Sequence, residues 1–196
     1  MSAVLNDVLI NDARLYIEDL FRGNSDGHDL DHSMRVYSVA MKIAKEEPDC
    51  DIEAVALAAL LHDADDHKLF DTSDNANARA FLKAHHISDD RCDLICSIIN
   101  SVSFSKNRGT RPVLTEAKIV QDADRLDAMG AIGIARTFAY GGSHGRSLDE
   151  SIGHFHEKLL LLKDEMNTDA GRRIAQERHL FMEEYLEHFN SENTLV

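Results

Sequence analysis

Apolar residues recur at three- and four-residue intervals along nearly the whole chain, and no stretch alternates them with the period of two expected for a half-buried strand. Two prolines and ten glycines in 196 residues do little to interrupt that pattern. The expected fold is therefore all-α, a single-domain helical bundle covering 1–196. Helices are predicted near 3–22, 30–47, 51–62, 74–86, 89–101, 114–140, 149–166 and 169–190, with a break in the sixth near Gly130 or Gly133. Ser88 and Thr168 are suited to cap the helices after them, and Pro48 follows a helix end.

Charge narrows the range of partners. A net charge of −14, from 21 basic and 35 acidic residues, argues against extended nucleic acid or an anionic membrane, both of which need a clustered basic face. A small anionic substrate stays compatible, because a bound divalent cation with a few local Lys and Arg residues reverses the potential inside one cleft. The longest apolar run, Ala54–Leu61, falls far short of the roughly 20 residues that span a bilayer. The first residues carry Asn and Asp where a signal peptide needs a positive start and an unbroken apolar core, so they read as a first helix and a cytoplasmic protein is expected. Cys50, Cys92 and Cys96 are too few for a disulfide framework, and core packing is expected for the Cys92/Cys96 pair.

Three polar loops stand out: Asn24–Asp29, Ser103–Pro112 and Gly141–Ser147, the last carrying His144 and Arg146. Loops this rich in polar groups either border a site or simply connect helices.

The chemistry begins with His62–Asp63, which closes the run AVALAALLHD. A helix this apolar must be buried nearly all round. Its terminal ionisable pair sits at the core edge, where hydrogen-bond partners or a metal must offset the cost of burial. Adjacent residues on a regular helix point about 100° apart, so both reach one ion only where the helix is ending. A second element, HDLDHSMRVYSVAMKIA, presents His32 on the same face as Val36 and Ile43, with His28 one turn earlier. A third, KIVQDADRLDAMGAIGIAR, carries Asp122, Asp124 and Asp127. Taking Ile119, Val120, Ala123 and Leu126 as its inner face, Asp127 points most directly inward and Asp122 and Asp124 flank it. A solvated position suits Asp122 better than Asp127, and periodicity alone does not choose a ligand among the three.

The ordered pattern His…His-Asp…Asp, with the last acid in an Ala-Asp-Arg-Leu setting, resembles the HD-domain superfamily of metal-dependent phosphohydrolases. GHDLDHSMRV, AALLHDADDHKLF, KIVQDADRLDAMGAIGIAR and HFHEKLLLLKDEM together are similar to small bacterial HD hydrolases, some of which are pyrophosphatases acting on nucleoside triphosphates. The likeness runs from about 26 to 190. It implies an HD-type bundle, with His32, His62, Asp63 and Asp124 as ligands of one divalent ion; Asp124 is the acid after Ala in the last motif.

Two imidazoles and two carboxylates leave positions open on a six-coordinate ion and suit Mn²⁺ first, with Mg²⁺, Fe²⁺, Co²⁺ or Ni²⁺ as alternatives, rather than a thiolate-rich structural zinc. His28, Asp66 or Asp127 is placed to accept a water's proton or orient a ligand. Lys68, Arg125, Arg136 and Lys158 are expected to contact substrate phosphates, with Arg136 about three turns beyond Arg125 on the same helical face. His67, His85 and His86 are available for a second metal, but His85 and His86 close a helix, where its dipole favours imidazole, so one ion is expected. The leading activity is hydrolysis of a phosphate ester or anhydride, of the nucleoside triphosphate pyrophosphatase type. A 5′-nucleotidase or other phosphomonoesterase on the same site is the alternative. Di-iron oxygenase chemistry needs further ligands, and a regulatory metal- or nucleotide-binding module without turnover is disfavoured by the intact ligand set.

Overall fold

The computed structural model describes residues 5–23, 29–103, 107 and 109–193. Among them it contains nine α-helices, one 3₁₀ helix and no strand, in agreement with the all-α expectation. The helices gather into two compact units, Met1–Asp124 and Arg125–Val196.

The first unit is organised around α3 (Ile52–Leu61), which packs against α1 (Asp7–Leu20), α2 (Leu30–Ala44) and α5 (Asp89–Asn100). All eight residues from Ala54 to Leu61 are buried. Val55, Leu57, Leu60 and Leu61 together contribute on the order of 6–12 kcal/mol of apolar burial, at about 1.5–3 kcal/mol each. Side-chain caps set the starts of the helices that matter most. Asn6 accepts from the Leu9 amide at 3.3 Å, Asp29 from that of His32 at 2.7 Å, and Asp51 from that of Ala54 at 3.0 Å.

Two capping arrangements differ from the sequence reading. Ser88 has the extended backbone of an N-cap, but its hydroxyl makes no capping hydrogen bond, and Asp89 and Asp90 stand in the first turn of α5. Helix α4 (Ala76–Ala84) starts after Asn75, whose φ of 54° is left-handed and whose side chain caps nothing. Asp65 supplies the missing acceptor, taking the amides of Asn77 at 2.9 Å and Ala78 at 3.0 Å.

The predicted helix 114–140 is two helices, α6 (Thr115–Asp127) and α7 (Gly130–Ser143). Met129 is extended and Gly130 has a φ of 69°, a conformation that glycine adopts without a Cβ penalty. At Gly133 a Cβ would lie 2.2 Å from the Ala128 carbonyl oxygen, so only glycine lets α7 leave the break at this angle.

In the second unit α7 packs on α8 (Leu148–Glu157) and α9 (Asp169–Glu192). The loop predicted at 141–147 is shorter than expected, because α7 continues through Gly141 and Gly142 to Ser143. Ser147 and Glu150 then form a reciprocal capping box that starts α8. The helix predicted over 149–166 ends at Glu157 and continues as 3₁₀ helix from Leu159 to Glu165. Thr168 caps α9 as expected, accepting from the Gly171 amide at 2.9 Å. Phe138, Phe155, Tyr185 and Phe189 form an aromatic cluster in this unit. Cys92 and Cys96 are buried and reduced, and burial raises both thiols, Cys96 to about 11, as packing residues.

Candidate metal centre

Helix α3 ends at Leu61, leaving His62 as its C-cap and Asp63 in the turn beyond it. That ending releases the two adjacent side chains from the divergence a regular helix imposes. His32 comes from the first turn of α2, held there by the Asp29 cap, and Asp124 from α6. The four side chains converge within the first unit. The two Nε2 atoms of His32 and His62 are 3.2 Å apart. Asp63 Oδ2 lies 3.4 Å from His32 Nε2 and 3.3 Å from His62 Nε2. Asp124 Oδ1 lies 3.5 Å and 3.7 Å from the same two atoms. His32, His62 and Asp124 also form a group whose ligand atoms all lie within 4.8 Å of one another.

These donors fit a divalent cation. Nitrogen and oxygen ligands about 2.1 Å from one ion stand roughly 3–3.5 Å from each other, the spacing seen here. The His62 Nδ1–H donates to the Ala59 carbonyl at 2.9 Å, which fixes the tautomer and turns the Nε2 lone pair toward the cluster. Burial would lower the His62 pKa, but the carboxylates of Asp63 and Asp124 outweigh it and the net shift is upward. For Asp124 burial acts upward, and the hydrogen bond to His32 with the charge of His62 carries the net shift downward. Both directions describe a site that favours positive charge among its carboxylates. His32 and Asp63 are nearly enclosed, whereas the Asp124 side chain is 23% exposed and leaves the cluster open on its side.

The other expected site residues are placed as follows. His28 lies outside the described residues. Asp66 Oδ1 accepts from the Lys68 amide at 2.8 Å, shaping the turn after the His-Asp pair. Lys68 itself is exposed. Asp127 is buried and its carboxylate accepts from Arg136 in a close ion pair. Arg125 is also buried, donating to the Glu165 carbonyl at 2.5 Å with its Nη2 3.2 Å from the Glu165 carboxylate. Arg125 and Arg136 do not share a helical face as expected, because they lie on separate helices, α6 and α7, and each guanidinium has its own carboxylate. Asp122 is fully buried, which removes the solvated position considered for it. Lys158 is half-buried at the C-terminal end of α8. His85 faces Asp12 at 3.3 Å and His67 stands 3.7 Å from Asp66, so each has a local carboxylate.

Two supporting residues were not anticipated. Asp29 could have been read as the cap three residues before His32. Asp65 gave no local signal, since the helix it caps starts more than ten residues later.

The HD-domain family profile matches residues 29–129, from the cap of α2 past Asp124. The chain belongs to the HD-domain family of metal-dependent phosphohydrolases. YpgQ of Bacillus subtilis (strain 168) is 41% identical over 182 residues, covering 88% of each chain. The crystal structure of Bacillus subtilis YpgQ in complex with ADP superposes with a TM-score of 0.80 over 94% of this chain and 98% of that one, at 35% identity. An HD-superfamily hydrolase from Bacillus thuringiensis gives a TM-score of 0.79 at 36% identity, covering 95% of this chain and 97% of its own. No helix among the described residues is long and apolar enough to cross a membrane.

Proposed function

We propose that this HD-domain hydrolase cleaves a phosphoanhydride in a nucleotide, releasing pyrophosphate from a nucleoside triphosphate, at one divalent centre held by His32, His62, Asp63 and Asp124. The observation that carries the reading is the convergence of two imidazole nitrogens and two carboxylates at 3.2–3.7 Å between imidazole nitrogens and their neighbours. The ADP complex of YpgQ supports a nucleotide as the ligand class.

A divalent ion bound there, Mn²⁺ first among the candidates, supplies Lewis-acid activation of water and neutralises charge on a phosphoryl oxygen. The chain's own residues do the rest. Ala59 holds the His62 ring in its ligating tautomer. Asp66, whose Oδ1 anchors the Lys68 amide, is the assigned proton acceptor among the candidate acids. Asp127 is committed to Arg136 and serves as a positioning group. Water oxygen bonds to the α-phosphorus, the bond from that phosphorus to the bridging oxygen breaks, and pyrophosphate leaves with a nucleoside monophosphate. Lys68 offers its ammonium to the phosphates.

The test is a panel of nucleoside mono-, di- and triphosphates with Mn²⁺, Mg²⁺ or Co²⁺, reading phosphate and pyrophosphate separately. Pyrophosphate from triphosphates is the expected result. Phosphate released from monophosphates alone would replace this reading with a 5′-nucleotidase. Tight metal binding without turnover on any member would point to a regulatory module.

A further inference from the structure

A cleft of about 290 Å³ opens in the first unit between the end of α1 and the turn that follows the His-Asp pair. Its walls are Leu20, Phe21, Arg22 and Gly23 on one side and Leu69 and Phe70 on the other. The Phe21 and Phe70 rings, one in each wall, stand 6.0 Å apart at 31°. Phe21 is anchored in the core at 5% exposure, whereas Leu69 and Phe70 are half-buried and accessible. The lip at Gly23 is low: with a φ of 85°, a Cβ built there meets nothing within 4 Å.

The cleft belongs to the same run of turns as the metal ligands. Leu69 follows Asp63 by six residues, at most about 20 Å of extended chain. Two turns shorten that path, through the Asp66 amide to the Asp63 carbonyl at 3.1 Å and the Leu69 amide to the Asp66 carbonyl at 2.9 Å. Lys68 lies in the chain between ligands and cleft, exposed, with its ammonium paired to no described residue. The opposite rim carries Arg22, whose guanidinium is 78% exposed in a surface pair with Asp19.

We propose that this cleft seats the base of the nucleotide, with Phe70 and Leu69 determining the preference for a flat aromatic group and Lys68 spanning toward the phosphates. The inference rests on the nucleotide reading above and extends it to a specific surface. Six residues and 290 Å³ are too small for a protein partner, which needs roughly 800 Å² per side. A cleft walled by Phe21 and Phe70, and joined to an acidic metal centre by a short turn that carries the exposed Lys68, matches a ligand that is flat at one end and anionic at the other. Stacking against an aromatic side chain is tolerant of base identity, so selectivity among bases is weak.

The experiment is calorimetric titration of the Mn²⁺-loaded protein with two probes, the α,β-methylene analogue of ADP and inorganic pyrophosphate. Wild type is compared with Phe70→Ala and Phe70→Leu, the second keeping apolar volume while removing the ring. Metal content and thermal midpoint are recorded for each. The analogue is expected to bind about fivefold to a hundredfold more weakly to both variants, with pyrophosphate affinity unchanged. Unchanged analogue affinity would overturn the cleft assignment and leave the nucleotide reading standing. Equal weakening of both probes would also overturn it, making Phe70 a support for the turn. A wild-type protein that binds pyrophosphate but not the analogue would overturn the nucleotide reading and the cleft together.

Discussion

Arg125→Ala separates a folding role from a substrate role at a residue that sequence alone points toward phosphate. The Arg125 side chain is 3% exposed, with one nitrogen 2.5 Å from the Glu165 carbonyl and another 3.2 Å from its carboxylate. Breaking a fully buried ion pair typically costs about 3–5 kcal/mol. Glu165 keeps 26% exposure and regains some hydration, so the lower range of about 2–3 kcal/mol, that of a charged hydrogen bond, applies. For a chain of this length each kcal/mol shifts the midpoint by about 2–4 °C, giving a fall of roughly 4–12 °C. Thermal unfolding followed by circular dichroism measures this directly. A double-mutant cycle with Glu165→Gln isolates the pair, and the double variant is expected to lose less than the sum of the singles. An unchanged midpoint with a raised KM for nucleotide would refute the structural role and return Arg125 to the substrate.

Three further outcomes follow from the same structure. Asp65→Ala removes the acceptor shared by the Asn77 and Ala78 amides and should cost about 0.5–2 kcal/mol, seen as faster hydrogen exchange at those two positions; unchanged exchange would contradict the capping role. Lys68→Ala should lower kcat/KM for the best nucleotide about tenfold or more while metal content stays intact, and wild-type efficiency would remove Lys68 from the site. In the metal-free protein, the raised His62 pKa gives a contribution that is fully present below the unfolded imidazole value of about 6.5 and lost as pH rises through the higher folded value. A metal takes the neutral imidazole, so the midpoint gap between metal-loaded and metal-free protein should widen as pH rises through that window; a constant or narrowing gap would contradict ligation by His62.

Much of this fold is written in local patterns. The fully apolar AVALAALL segment could only be a helix buried on all sides, and the same fact makes an ionisable pair at its end conspicuous. His32 follows from its spacing to Val36, and Thr168 from its position before an acidic first turn. What escaped the pattern depends on partners distant in sequence or on backbone geometry. The break between α6 and α7 is set by a left-handed Gly130 and the close approach at Gly133, and the choice between two glycines is not a matter of periodicity. Asp127 is inward-pointing, as its spacing predicts, but its inward partner is Arg136 from the following helix. Asp122 reads as a solvated flank of its helix and Arg125 as a phosphate contact, and both are buried, because burial of a charge is decided by what packs over it. Asp65 caps a helix that begins well downstream, which no window of adjacent residues reveals.

The measurement that bears most directly on the central claim is metal stoichiometry by mass spectrometry after dialysis against Mn²⁺. Wild type is compared with His32→Ala, His62→Ala, Asp63→Ala, Asp124→Ala and Asp127→Asn, each checked for folding by circular dichroism. One ion per wild-type chain is predicted, with strong loss in each of the first four variants and retention in Asp127→Asn. Full metal content in all four alanine variants would contradict the centre. Loss in Asp127→Asn with retention in Asp124→Ala would move the fourth ligand one turn along the helix.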